Sequence, residues 1–231
     1  MLGVIGGMGP QATVYFLQGI IDQTDAGCDQ EHIPMIILNH TTMPDRTAAI
    51  LSGNKTEICE ALLRDARMLE KNGCSAIVIP CNTSHYFVDE IQKGISIPII
   101  HMARETINRV SETRPGIKKL AILATSGTIQ SGVYHRECLK KGFEPCAPSP
   151  EKQLLLMDII YREIKKKRPG SLSKFLEVER EIKAAGCEAA ILACTELSCF
   201  ARQVELPEYY IDAMDILIDK TVQFYGKGKK G

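Results

Sequence analysis

The chain has 231 residues, 45% of them hydrophobic, enough for one large core or two smaller ones sharing an interface. Its 28 basic residues balance 28 acidic ones, so no global field favours nucleic acid, an anionic membrane or a polyanionic partner, and a small molecule is the expected ligand. No stretch reaches the roughly 18–20 apolar residues of a membrane span, and residues 2–5 read as a strand rather than part of a leader, so a soluble, untargeted protein is expected.

Short apolar runs at 2–5, 35–38, 76–79, 98–100, 120–123, 189–193 and 209–211 alternate with segments of helical period at 11–24, 55–71, 153–167 and 173–185. The continuous apolarity of the runs predicts strands buried on both faces, and the alternation predicts an α/β fold with parallel sheets. Residues 226–231 are expected to fray as a basic tail. The nine cysteines are an odd number, without the close spacing of a secreted disulfide framework or the Cys-x-x-Cys and His-x-x-x-His of metal sites. A reducing cytoplasm is expected, with no metal.

The second half of the chain repeats the first. A helix ending in Lys71-Asn72-Gly73-Cys74 leads through the strand 76–79 to Pro80-Cys81-Asn82-Thr83. Later, a helix ending in Ala184-Ala185-Gly186-Cys187 leads through the strand 189–193 to Cys194-Thr195-Glu196 at the same spacing. A weaker echo pairs Gln11-Ala12-Thr13-Val14-Tyr15 with Gln130-Ser131-Gly132-Val133-Tyr134. Each copy closes with a strand and then a helix. The expected architecture is two pseudo-symmetric lobes, each a mainly parallel four-stranded sheet flanked by helices, with the active site between them. The chain is expected to cross near Met102 and return near Ala213, giving lobes of 1–101 plus 213–231, and 102–212.

Ligands of open parallel sheets bind outside the carboxyl ends of the strands, where Cys81 and Cys194 stand. With the lobes facing, the two thiols approach one cleft from opposite sides. That arrangement suits proton exchange at a stereocentre, one group taking the α-proton while the other delivers a proton to the opposite face. A thiolate is the useful base, and the polar residues after each cysteine, Asn82-Thr83-Ser84 and Thr195-Glu196, are of a kind that opens a helix and presents N–H donors to a thiolate or a carboxylate. Glu196 has two readings, orienting Cys194 or meeting a substrate ammonium, beside the bland one of a carboxylate in a helix's first turn. Cys74 and Cys187 begin their strands and read as core. His85 and His101 lie near strand ends, but nothing in the second copy matches His85, and a structural role is expected for both.

Gly6-Gly7-Met8-Gly9-Pro10, Pro80-Cys81-Asn82-Thr83-Ser84-His85 and Ala193-Cys194-Thr195-Glu196-Leu197 resemble the aspartate/glutamate racemase family, in its aspartate racemase branch. The resemblance spans nearly the whole chain. It implies cofactor-independent (PLP-free) inversion of a small acidic amino acid, most of all aspartate with glutamate alongside, by Cys81 and Cys194 in a homodimeric enzyme. It further implies that Arg46 and Lys165 hold the substrate carboxylates, that Asn82, Thr83 and Thr195 bind the α-carboxylate and ammonium, that Thr125 is a further polar contact, and that Met8 and Gly9 line the pocket. Bidentate guanidinium pairing gives Arg46 a physical reason. Lys165 opens the run Lys165-Lys166-Lys167-Arg168, where basic residues also suit a helix end.

Other readings carry different expectations. Gly7-x-Gly9-x-x-Ala12 after a strand is a minimal dinucleotide fingerprint, but Pro10 follows the second glycine at once and the next strand ends in Asn39-His40 rather than a ribose-binding acid. Relatives with similar cysteine pairs racemise hydantoins, isomerise maleate or decarboxylate arylmalonates, and a silent amino-acid-binding module would use the same pocket without exchanging the α-hydrogen.

Overall fold

The computed structural model describes residues 1–228. In the first half, β1 (Leu2–Gly6), α1 (Pro10–Gln23), β2 (Met35–Asn39), α2 (Arg46–Ser52), α3 (Thr56–Lys71), β3 (Ala76–Val78) and α4 (Val88–Gln92) follow in order. Helix α5 (Met102–Thr113) leads to the second half: β4 (Lys119–Leu123), α6 (Ser126–Ser131), α7 (Val133–Lys140), β5 (Glu144–Cys146), α8 (Pro150–Asp158), α9 (Leu172–Ala184), β6 (Ala189–Leu192), α10 (Thr195–Ala201), β7 (Tyr210–Asp212) and α11 (Ala213–Phe224). Both sheets are parallel, ordered β2-β1-β3 and β5-β4-β6-β7. No helix among the described residues is long and apolar enough to cross a membrane.

The repeated helix–strand joint has a common cause. Gly73 and Gly186 both take a left-handed φ, +81° and +80°, which a side chain would oppose. Each lets the following cysteine N–H reach back to the helix, Cys74 to the Leu69 carbonyl at 3.1 Å and Cys187 to that of Ile182 at 3.0 Å. This Schellman closure satisfies a terminal carbonyl and aims the chain into β3 or β6. Cys74 and Cys187 are buried there, as core.

Alternation along the strands divides the interior into three. Leu2 and Val4 of β1, with Leu120 and Ile122 of β4, face a central core shared by both sheets and closed by α1, α5, α7 and α11. Ile5 and Ile77 point the other way, onto α3 and α4. Ala121, Leu123 and Leu192 face α8 and α9. Each fully buried Leu or Ile contributes about 1.5–3 kcal/mol, so the shared core fastens the halves together.

The first sheet departs from the expected four strands. It has three, and the segment predicted at 98–100 adds only a single parallel bridge, Ile77 with Ile99. Side chains take the donors a longer ladder would use: Glu70 accepts from the Ser96 and Ile97 N–H groups, Gln92 accepts from Ile99, and Pro98 has none to give. That bridge still occupies the place β7 holds in the second sheet. The predicted fraying of 226–231 also fails as far as Gly228, since Lys227 accepts from Asp25 and Gly228 pairs with Thr24; residues 229–231 lie outside the described residues.

Candidate active site

Cys81 and Cys194 line the same cleft, of about 280 Å³, at the carboxyl ends of the two sheets. Both are buried, with 5% and 4% of their surface exposed. From the first half the cleft also takes Met8, Arg46, Asn82 and Thr83; from the second, Thr125, Lys165, Thr195 and Glu196. Gly9 is the exception among the expected residues. It lies in an adjoining chamber of about 1750 Å³, where an added Cβ would stand 3.6 Å from Glu196 Oε1.

Cys194 is the N-terminal flanking residue of α10, in extended backbone, which places Glu196 in the helix's first turn. The thiol donates to Glu196 Oε2 at 3.1 Å, and Thr195 donates to the same oxygen at 3.3 Å. Burial, then the charge and hydrogen bond of Glu196, push the Cys194 thiol well above its usual range, outweighing the Lys165 ammonium and the Glu196 N–H. These surroundings favour the protonated thiol, with Glu196 as its hydrogen-bond acceptor.

Lys165 reaches the cleft because α8 does not continue regularly. A π-helical turn at Ile159–Glu163 and a 3-10 turn at Ile164–Lys166 precede Lys167, which is left-handed at φ 59°. Such irregular turns redirect side chains and recur at functional sites. The Lys165 ammonium sits 4.2 Å from the centre of the Tyr161 ring and 3.9 Å from Glu196 Oε1. Burial disfavours its charge, but Glu196, Tyr161 and Cys194 more than offset this and hold it above the usual lysine range.

Arg46 is the first residue of α2, behind Asp45, whose carboxylate accepts from the Ala48 N–H. Only 9% of Arg46 is exposed. Its Nη1 donates to the Met43 and Pro44 carbonyls, its Nε is buried without a partner, and it makes no ion pair among the described residues. A buried guanidinium without a carboxylate is costly unless a ligand supplies one. Asn82 adds to this donor surplus. Its Oδ1 accepts from the buried Tyr134 hydroxyl, and its Nδ2 is buried and unpartnered.

Four threonine hydroxyls join the halves beneath the cleft. Thr83 meets Thr128 at 2.8 Å and Thr125 at 3.3 Å, Thr125 meets Thr128 at 3.1 Å, and Thr47 donates to Thr125 at 3.2 Å. Gly127 makes this approach possible, because a Cβ there would lie 2.7 Å from Thr47 Cα. Thr125 also caps α6, so its capping and cleft-lining roles coexist, whereas the Asn82 side chain caps nothing.

Asp45, Thr47 and Tyr161 line the cleft too, unanticipated by the sequence reading. The signal for Tyr161 was its place four residues before Lys165, the spacing at which helical side chains meet; its hydroxyl donates to Asp45 Oδ2 at 3.2 Å. His85 and His101 are buried outside the cleft lining, in keeping with structural roles.

Residues 5–221 match the Asp/Glu/hydantoin racemase family, and the chain belongs to it. It is an amino-acid racemase. The broad specificity amino-acid racemase RacX of Bacillus subtilis is 29% identical over 97% of this chain and 98% of its own length. The aspartate racemase of Picrophilus torridus superposes with a TM-score of 0.79 at 26% identity, covering 99% of this chain and 95% of that one. An aspartate racemase homologue from Pyrococcus horikoshii shares the fold, with a TM-score of 0.77 at 21% identity and coverage of 97% and 98%.

Proposed function

We propose that the protein inverts a small acidic amino acid, aspartate foremost and glutamate alongside, by two-base proton transfer between Cys81 and Cys194, without PLP. One observation carries this reading: two buried thiols share a small cleft with a guanidinium that has no carboxylate of its own. In one direction the Cys81 thiolate takes the α-proton and becomes a thiol, while the Cys194 thiol gives its proton to the opposite face and becomes a thiolate. The reverse direction exchanges the roles. Charge develops on the α-carbon and its carboxylate, where the Asn82 amide N–H and the threonine hydroxyls supply hydrogen-bond donors. Arg46 and Lys165 take the carboxylates, and Glu196 holds Cys194 as a thiol while facing the substrate ammonium.

The same reading divides the lobes at Met102 and Ala213. Supporting it, α11 returns to pack on α1 while α5 packs on α7. A cytoplasmic homodimer belongs to the reading as well, on the strength of the reduced cysteines and the family resemblance.

The test is incubation with each enantiomer of aspartate and of glutamate in D₂O, following loss of the α-proton by NMR and the appearance of the other enantiomer by chiral chromatography. Exchange with inversion supports the reading; binding without exchange replaces it with a silent binding module. A wider substrate range has one observation in its favour: the larger chamber opens beside the cleft and shares Met8, Arg46, Lys165 and Glu196 with it, leaving space for longer side chains. RacX, with its broad specificity, is a relative of that kind. Faster exchange of neutral or basic amino acids than of aspartate would establish that alternative.

A further inference from the structure

Behind each cysteine, the two halves repeat one more arrangement with different residues. Counting four residues on from Cys81 reaches His85, and four on from Cys194 reaches Ser198. Both are buried, and neither lines the cleft. Each faces the residue preceding a helix that connects the halves. His85 stacks on His101, ring centres 4.8 Å apart, and His101 Nδ1 accepts from Arg104 N–H at the start of α5. Ser198 donates to Asp212 Oδ1 at 2.6 Å, and that oxygen also accepts from Met214 N–H at the start of α11. Helices α5 and α11 pack against each other, so the two arrangements are joined through the middle of the molecule.

The cysteine backbones are held from these points. His85 Nε2–H donates to the Ile79 carbonyl at 3.0 Å, and the same carbonyl accepts the Cys81 N–H at 2.7 Å. The Ser198 N–H donates to the Cys194 carbonyl at 3.2 Å while its hydroxyl is fixed by Asp212. Burial, with His101 beside it, keeps His85 neutral, consistent with Nε2 as donor and Nδ1 left bare. A neutral ring with no route to the cleft moves no substrate proton, and its position is its contribution.

We propose that His85 and Ser198 are paired positioning residues, each fixing the backbone of one cysteine and so governing proton transfer on one face of the substrate. The inference rests on the two-base reading above. Proton transfer demands close placement, and a displacement of about 1 Å can cost on the order of 10²-fold in rate. Because the two enantiomers are equally stable, any variant must lower kcat/KM equally in both directions. The primary isotope effect need not follow suit. With α-deuterated substrate it reports only the group that removes the α-proton, which is a different cysteine for each enantiomer.

The experiment compares α-¹H and α-²H forms of L- and D-aspartate for the wild type, His85→Ala, His85→Gln, Ser198→Ala and Ser198→Thr. Both alanine variants are expected to lose about 10- to 100-fold in kcat, with KM changed less than about threefold. In His85→Ala the isotope effect should rise for the enantiomer deprotonated by Cys81 and fall for the other; in Ser198→Ala the asymmetry should reverse. Glutamine, which keeps an N–H donor, and threonine, which keeps a hydroxyl, should recover most of the rate. Isotope effects that move together in both variants, or stay at wild-type values, would overturn the assignment. Should His85→Ala fail to fold, the Ser198 variants and His85→Gln still decide it. Racemisation surviving in Cys81→Ala or Cys194→Ala would instead sink the two-base reading itself, as would wild-type protein that exchanges the α-proton of no amino acid.

Discussion

Cys81 and Cys194 stand at equivalent points of two similarly ordered parallel sheets, yet their neighbours differ. Beside Cys81 are an amide held by a tyrosine hydroxyl and, behind it, two histidines. Beside Cys194 are a carboxylate, an ammonium over an aromatic ring and, behind it, a serine–aspartate pair. The shared strand, turn and glycine closure set where each sulfur lies. The neighbours that diverged set the polar groups around it. The two-base reaction proposed above, which needs one thiol and one thiolate at a time, would be served by such unequal surroundings on a similar frame.

The sharpest way to break the comparison is to remove either sulfur. Cys81→Ala and Cys194→Ala should each lower racemisation by about 10³-fold or more at unchanged melting temperature, measured by chiral chromatography and circular dichroism. A large loss in only one variant would end the equivalence of the halves. Arg46→Gln should follow with roughly 30- to 100-fold lower kcat/KM for aspartate, from loss of a charged, bidentate partner. Glu196→Gln isolates the electrostatic contrast. Without that carboxylate the Cys194 pKa falls, so the alkaline limb of the pH–rate profile should move to lower pH; a limb that stays put would remove Glu196 from the titration of Cys194.

Stability should show the same asymmetry. Burial, then Arg104, lowers His101 to about 4, and burial with His101 lowers His85 as well. Stability from these neutral rings is complete above the usual histidine value near 6.5 and is lost as the pH falls toward 4. Asp212 is displaced the other way, up to about 7 by burial and then Asp215. Its contribution is greatest below the ordinary aspartate value of 3.8 and is lost as the pH rises through 7. Urea melts across this range should therefore show His101→Asn flattening the acid side and Asp212→Asn the neutral side. The smallest effect expected is at the seam: Gly127→Ala forces α6 off α2 and should cost about 1–3 kcal/mol in the same melts.

What was legible in the sequence was what the duplication wrote twice. The Gly-Cys joint, the following strand and the terminal cysteine share one spacing, and one backbone closure explains both copies. Less legible were features decided by distant partners. The strand at 98–100 has the right residues, but Glu70 and Gln92 capture its donors. β5 is a three-residue edge strand containing Pro145, too short and too poor in donors for a pattern to register. Tyr161 escapes a helical period because it lies in the π-helical turn that redirects side chains into the cleft. Gly9 follows its motif into the first loop, yet that loop faces the larger chamber as well as the cleft, and the glycine lies on the chamber side.

The ring of threonines bears on a demand peculiar to this chemistry. A pocket serving both mirror images must greet two opposite arrangements of hydrogen, ammonium and side chain about one carbon, without preferring either. Rigid amides and guanidinium groups have fixed polarity. Hydroxyls do not: each can turn its hydrogen to give or receive, and in the closed triangle of Thr83, Thr125 and Thr128, which Thr47 joins by donating to Thr125, a turn by one can pass to the next. Such a seam can reverse its polarity with no heavy atom leaving its place.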